Sequence, residues 1–409
     1  MPSVPHLAAP PPDPEDILAE TTLRDPYPFF ASLRRHDPVH WNPCTGTWYV
    51  TGYDDVTALL TDRRLGAVAG EGFPRGLTPA QQRVTASLER FFGRWLVFSD
   101  PPYQQHLRAR LQPLFTPAAV AELAERIEDA AGRAALRLAR AAQHGPPDLM
   151  RDFSRPFALD AVCELLGLTR EEQGRAVGWS DALVGYLGAS RFDSDVTHTA
   201  ADAVRDLTAH VTRILLPRGS GAVARCLAPL LESGAIDGEE AAAVVAQLLT
   251  GGVEPVSTTI GVAVCARHAC AGAASHTGEH TTYADAVEEA LRYDAPFHFA
   301  PRRAATALTL HGRSLAAGDR VVLVLASANR DERVFAAPDV YDPTRPRARH
   351  VAFGLGGHYC LGAVLARTET AAALRALDRE VPGLRVDPSA VGRAPAFGAT
   401  VLRPFPSLV

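Results

Sequence analysis

The chain predicts a mainly α fold with a small β portion, one large helical domain carrying a β-rich subdomain. Three observations carry that expectation. From about Thr116 to Cys270, apolar residues recur at three- and four-residue spacing. Tracts rich in aromatic and β-branched residues are short and few. No Gly/Ser linker, repeat or low-complexity break divides the 409 residues. Residues 21–409 therefore read as a single domain behind a Pro-rich tail, residues 1–20.

In chain order, DPYPFFASLRRH reads as a short amphipathic helix, and PVHWNPCTGTWYVTG as two strands around a turn at Cys44 to Gly46. PAAVAELAERIEDAAGRAALRLARAA, RPFALDAVCELLGL and TAADAVRDLTAHVTRILL keep an apolar helical face. Asp237, followed three residues on by Glu240, signals the start of a long apolar helix. That helix is interrupted in LLTGGVEPVSTT, where glycines, Glu254 and Pro255 intervene. Interior Gly costs about 1 kcal/mol and interior Pro about 3 kcal/mol against Ala, so helical stability is given up at one place. TYADAVEEALRY reads as a helix, PRRAATALTLHGRSLAAGDRVVLVL as β-like, and FGLGGHYCLGAVLARTETAAALRALDREV as a Gly-rich loop entering a helix.

Hydrophobic content of 47% with 21% charge is ordinary for a globular core, and a net charge of −5 gives no bulk attraction to nucleic acid or an anionic membrane. The first twenty residues lack a basic segment followed by an apolar one, and apolar runs fall short of the roughly 20 residues that span a bilayer, so a cytoplasmic protein without a membrane partner is expected. Six scattered cysteines form no zinc-like cluster and read mostly as small buried hydrophobes.

Cys360 is different. It stands after a run of glycines and just before a helix, where free N–H groups and the helix end favour thiolate and lower its pKa. Such a sulfur suits nucleophilic catalysis or axial ligation of haem iron. Phe353, Gly354, Gly356, His358, Cys360, Gly362, Leu365, Ala366 and Arg367 together follow FGxGxHxCxGxxLAR, and with them the chain resembles the cytochrome P-450 family, of the soluble bacterial kind.

The resemblance extends over nearly the whole chain. Glu289 and Arg292 match the family's ExxR pair, one turn apart on a helix face, and Arg345 of YDPTR is implied to complete their ion-pair network. The implied cofactor is haem b (iron protoporphyrin IX), with Cys360 as the metal ligand and Phe353, Gly354 and Gly362 shaping its loop. Arg108, Arg302 and His358 match propionate partners, while Gln104 stands where the family usually has His and is expected to give a neutral hydrogen bond. His106 lies about 200° round the helix from that position.

Gly251, Gly252 and Glu254 match a distal [AG]GxET motif, with Pro255 in place of its threonine. The proline is expected to keep the family's helix distortion while removing the hydroxyl that assists proton delivery. Protons must then come from Glu254 through water, from Ser257 or Thr258 by rearrangement, or from the substrate. Phe297, His298 and Phe299 would pass along the substrate pocket, near the aromatic stretch Phe91 to Phe98. Electrons are expected from a separate ferredoxin, met by the basic run Arg345, Arg347, Arg349 and His350. Three functions are compatible: O2-dependent insertion of oxygen into a small molecule of specialised metabolism, oxidative coupling or ring closure without insertion, and a non-enzymatic haem sensor or docking protein.

Overall fold

The computed structural model describes residues 17–68, 77–189, 192–271, 282–346 and 348–408, the side chains of residues 270 and 271 apart. Most of the expected tail lies outside them. Ile17, however, is buried beside Phe29, Phe30 and Leu33, so residues 17–20 belong to the folded body.

Strands β1 (Val39–Asn42) and β2 (Thr47–Val50) pair antiparallel around the expected turn, where Gly46 takes φ +59° and Asn42 Oδ1 accepts from the amides of Cys44 and Thr45. With β3 (Leu65–Ala67), β4 (Phe299–Ala304) and β7 (Arg320–Val324) they make a five-stranded sheet in the order β1-β2-β7-β4-β3. Only β2 and β7 run parallel in it. β5 (Leu308–Leu310) and β6 (Arg313–Leu315) form a separate hairpin. The β4–β7 tract expected from sequence is thus real, and it joins the N-terminal hairpin to the C-terminal third of the chain.

The rest is largely helical. The long helix runs unbroken from Gly238 to Ala271, through Gly251 and Pro255. The expected interruption is therefore not a break: neighbouring packing holds the backbone, and the proline removes a single N–H donor. At its start, Asp237 N donates to Glu240 Oε2 (2.7 Å) and Glu240 N to Asp237 Oδ1 (2.8 Å), the reciprocal cap expected there.

Two cores share this helix. Val245, Leu249 and Val253 pack with the helices Arg155–Leu166, Gln173–Leu187, Ser194–His210 and Ala222–Glu232. Val256, Ile260 and Ala263 pack with Pro117–Ala141, Tyr283–Tyr293 and Ala363–Glu380. Gly251 to Pro255 lies at the changeover. By length and composition the Gly238–Ala269 stretch is apolar enough to cross a membrane, contrary to the run-length expectation, but 67% of its apolar window is buried inside the fold.

A buried ion pair ties the 283–293 helix to the chain that follows it. Arg292 (2% exposed) grips Glu289 (5% exposed) with two parallel 2.8 Å bonds, Nε to Oε2 and Nη2 to Oε1. Its remaining donors reach the carbonyls of Asn329 (3.0 Å), Pro338 (2.9 Å) and Val340 (3.2 Å). Glu289 Oε1 also accepts from Asp342 N (2.9 Å) and Arg345 Nε (3.4 Å).

Arg292→Ala leaves the buried Glu289 carboxylate with only the longer Arg345 contact, and is expected to lower stability by about 3–5 kcal/mol. A urea-unfolding midpoint measures it. Arg345→Ala, which removes the longer contact to Glu289 and the bonds to the carbonyls of Ala336, Ala337 and Val340 but leaves the carboxylate its Arg292 partner, should move the midpoint less.

Candidate functional site

The loop that carries Cys360 turns through left-handed glycines, Gly354 (φ +66°) and Gly356 (φ +68°), and closes when Cys360 N donates to Phe353 O at 2.9 Å. The helix after it begins at Ala363, with Gly362 as its N-cap. Cys360 thus sits ahead of the helix end. Burial pushes its thiol pKa up, against the Gly362 amide and the charges of Arg108 and Arg367. The lowering expected from the glycine amides and helix end is therefore outweighed by desolvation of the thiolate, and a metal cation at the sulfur is what would reverse the balance. The other described thiols are Cys163, which is buried, Cys226 and Cys265, which are partly so, and Cys44, which is exposed against expectation.

Glu288, which sequence reasoning passed over, clamps both flanks of this loop. It pairs with His350 Nε2 (3.1 Å) ahead of Cys360 and with Arg367 Nη2 (3.0 Å) behind it. Against the cost of burial, these bonds hold its carboxyl down to about 2. Arg367 also stacks over Phe353, 4.4 Å from the ring centre. The readable signal was the Glu288-Glu289 doublet within the helix Tyr283–Tyr293.

Beside the loop lies a cluster of cationic and orphaned groups. Arg302 is 3% exposed and, among the described residues, its side chain donates only to the carbonyl of Pro301, and Arg108 is half-buried; burial lowers both guanidinium pKa values. His358 Nδ1 is buried without a hydrogen-bond partner. Burial and then the charge of Arg302 depress the His358 pKa, and its nearest carboxylate, Asp100, stands 3.9 Å from Nε2. Buried cations without adequate counter-charge are what a dianionic ligand would satisfy, so the residues present fit the two propionates of haem. Gln104, at 2% exposure, donates Nε2 to the carbonyl of Gly357 (2.8 Å), bracing the cysteine loop, and its amide carries a second N–H.

On the long helix the two glycines do different work. A Cβ on Gly252 would come within 2.8 Å of Val162, so this glycine permits close helix packing. A Cβ on Gly251 would meet no atom within 4 Å. The same holds for Gly357 and Gly362 in the cysteine loop. Glu254 turns to Arg155, which binds Oε1 through Nε (3.0 Å) and Nη2 (2.7 Å) and also grips Asp181. The hydroxyls considered as substitutes are engaged elsewhere. Ser257, 0% exposed, donates to the carbonyl of Glu254 at 3.0 Å, and buried Thr258 faces the carbonyl of Thr400 at 3.4 Å. Ser257 bonds back to its own helix, as short hydroxyls do, while Thr258 reaches across to the C-terminal segment.

Of the expected pocket residues, only Phe297 keeps a free aromatic face, at 44% exposure. Phe299 packs on Phe397 (5.2 Å), Phe30 and Tyr49. His298 is 2% exposed and locked to Thr400 Oγ1 (2.9 Å), which donates in turn to buried Asp294 (2.7 Å). Asp294 also takes Tyr27 Oη (2.9 Å) and pairs with Arg393. His298 is therefore a structural group, its pKa brought down to about 4 by burial. Phe91, Phe92 and Trp95 are likewise core residues, with Phe92 stacked on Tyr186 at 5.5 Å. The basic run dissolves too. Arg345 turns inward to buried Glu289 and His350 to half-buried Glu288; Arg347 lies outside the described residues, and Arg349 is exposed.

Two measurements follow. In haem-loaded protein, Arg302→Ala should speed haem loss roughly tenfold to a hundredfold, since a hydrogen bond to a charged group contributes about 1.5–3 kcal/mol; transfer to a haem scavenger reads the rate. For His298, the neutral form favoured by folding means that stability is full above the unfolded pKa of about 6.5 and falls toward pH 4, by about 1.4 kcal/mol per unit. His298→Gln should flatten that part of the unfolding profile.

Comparison with known proteins agrees with this geometry. Residues 278–377 match the family model described as cytochrome P450. The chain is 30% identical over 371 residues to cytochrome P450 109 of Bacillus spizizenii, covering 89% of this chain and 86% of that one. It is 32% identical to the vitamin D(3) 25-hydroxylase of Pseudonocardia autotrophica, over 90% and 89%. The crystal structure of CalO2 superposes with a TM-score of 0.83 at 30% identity, over 97% of this chain and 98% of that one. A haem-iron cofactor, O2, an organic substrate and a redox partner come with the family, which sets aside a purely sensory or docking role. This chain belongs to the cytochrome P450 family and is an oxidoreductase of the monooxygenase type.

Proposed function

We propose that the protein binds haem b through Cys360 and uses O2 to hydroxylate or epoxidise a small organic substrate of bacterial specialised metabolism, in the cytoplasm, with electrons from a separate ferredoxin. The single observation that supports it best is the loop of Cys360 set beside the under-neutralised Arg108, Arg302 and His358. Bound haem iron would supply O2 activation, for which no side chain here has the electrons. Arg108, Arg302 and His358 would hold the propionates. Glu289, Arg292 and Arg345 hold the segment before the ligand loop, while Phe353, Gly354 and Gly362 shape the loop. Relatives named vitamin D(3) 25-hydroxylase, PikC and 6-deoxyerythronolide B hydroxylase support oxygen insertion into a sizeable metabolite. Phe297 offers such a molecule aromatic surface, and exposed Arg349 remains available to an acidic partner.

The distal face favours an unusual proton supply. Pro255 carries no hydroxyl and no N–H, and Ser257 and Thr258 are engaged. Glu254 is then the carboxylate left on this stretch of helix, held by Arg155 where it is about a quarter exposed to water. A hydroxyl on the substrate itself completes the route over Gly251 and Gly252 that the chain leaves unfinished. The same lack of a hydroxyl favours a second outcome, oxidative coupling or ring closure without insertion.

Labelled O2 decides between the two outcomes: label in the product supports insertion, and unlabelled product moves the assignment to coupling. The carbon monoxide adduct of the reduced holoprotein tests the ligand, with a thiolate-type Soret band expected and an imidazole-type band overturning Cys360. Pro255→Thr is expected to raise product formed per reductant consumed for a substrate lacking a hydroxyl near the reacting carbon. No gain there would count against the substrate-assisted route.

A further inference from the structure

A second titratable cluster lies away from the cysteine, between the helices Gln173–Leu187 and Ser194–His210. Tyr186 of the first stacks on Phe92, and Leu183 and Leu207 of the pair share a cluster with Leu249 and Val253 of the long helix. The pair therefore packs on the face of the long helix that carries Leu249 and Val253, about 200° round the helix from Gly251. At the heart of its seam is His210, 2% exposed.

His210 Nδ1 stands 3.2 Å from Arg175 Nη1, and Nε2 stands 3.0 Å from Glu172 Oε1. A guanidinium only donates, so Nδ1 must be the bare, accepting nitrogen, and the ring proton sits on Nε2, which is near Glu172 but lacks hydrogen-bond geometry to it. Arg175 in turn pairs with Asp206 Oδ1 (2.7 Å) and lies over the Trp179 ring, whose Nε1 donates to Asp206 Oδ2 (2.8 Å). Glu172 accepts from Thr169 N (2.7 Å) and Arg218 Nη2 (2.8 Å). The charged groups around the imidazole are thus Glu172 ahead of the first helix, Arg175 on it, Asp206 on the second, and Arg218 beyond its end. Directly after His210 the backbone relaxes into a π turn, Val211–Leu215, a geometry that tolerates local shifts.

A proton added at Nδ1 changes two things together. The acceptor becomes a donor facing a donor, and a cation then faces a cation at 3.2 Å, with the ring buried and the guanidinium about half exposed. Movement of Arg175 away from the ring would disturb both the Trp179 stack and the Asp206 pair.

We propose that His210, Arg175 and Glu172 form a proton-operated latch between the 173–187 and 194–210 helices, closed when His210 is neutral and released when Nδ1 is protonated, so that acid loosens this helix pair where it packs on the long helix. The latch is independent of which substrate or redox partner the protein uses. Burial favours the neutral ring, so release begins only as pH falls below the ordinary histidine range of about 6.5.

Amide hydrogen exchange on the full-length haem-loaded protein, corrected for intrinsic rates, tests it. Between about pH 7.5 and about pH 5, protection in residues 173–187 and 194–210 should fall about threefold or more, while the 117–141 helix holds steady. His210→Gln, which keeps an acceptor but cannot charge, should abolish the change. A pH-independent wild type, an equal fall in 117–141, or an unchanged response in His210→Gln each overturns the latch. If that variant does not fold, Arg175→Gln decides: low protection at both pH values is expected, and a wild-type pH response overturns it.

Discussion

Two adjacent carboxylates, Glu288 and Glu289, are the constraint from which the functional half of the molecule hangs. Glu289 holds Arg292, Arg345 and the amide of Asp342, and Glu288 holds His350 and Arg367. Arg292 also bonds the carbonyl of Asn329, whose side chain accepts from Val351 N at 2.7 Å. The loop that presents Cys360 is therefore pinned before and after the sulfur from a single turn of one helix. Buried ion pairs of this kind add little net stability over apolar packing, but removing one partner is costly. Their yield is position: a thiol that must meet a metal squarely is held by bonds with fixed directions.

The long helix answers that loop from within the two cores it joins. Its glycines and proline fall at the changeover, where neither core needs a large side chain on every face. Gly252 lets Val162 approach, while Gly251 leaves an open face. Glu254 emerges there because Arg155, on a neighbouring helix, reaches it from the solvent side. The loss of the usual hydroxyl at Pro255 is tolerated by the fold, since surrounding contacts keep the helix continuous. Its consequence is chemical, and falls on the supply of protons.

The cationic cluster shows the reverse economy, with stability surrendered for binding. Arg302 and Arg108 are desolvated without full partners, and His358 keeps an orphaned nitrogen. A protein selected only to fold would not keep them so. Local departures from good packing and pairing therefore mark the site more sharply than any single residue identity, while Gln104 braces the backbone of the cysteine loop.

The sequence by itself determined what depends on short-range spacing. Periodicity marked the main helices, turn chemistry the first hairpin, the Asp237–Glu240 cap the start of the long helix, and the glycine pattern the loop of Cys360. Tertiary structure alone decided what depends on desolvation and on which distant group arrives first. It turned His298 into a brace for Asp294, drew Arg345 and His350 inward, placed Arg155 on Glu254, and raised rather than lowered the thiol pKa of Cys360. Partners such as these are separated by up to 106 residues in the chain. A side chain's charge and hydrogen bonds are set by its neighbours in space, and linear spacing reports those neighbours only within a turn or two of helix.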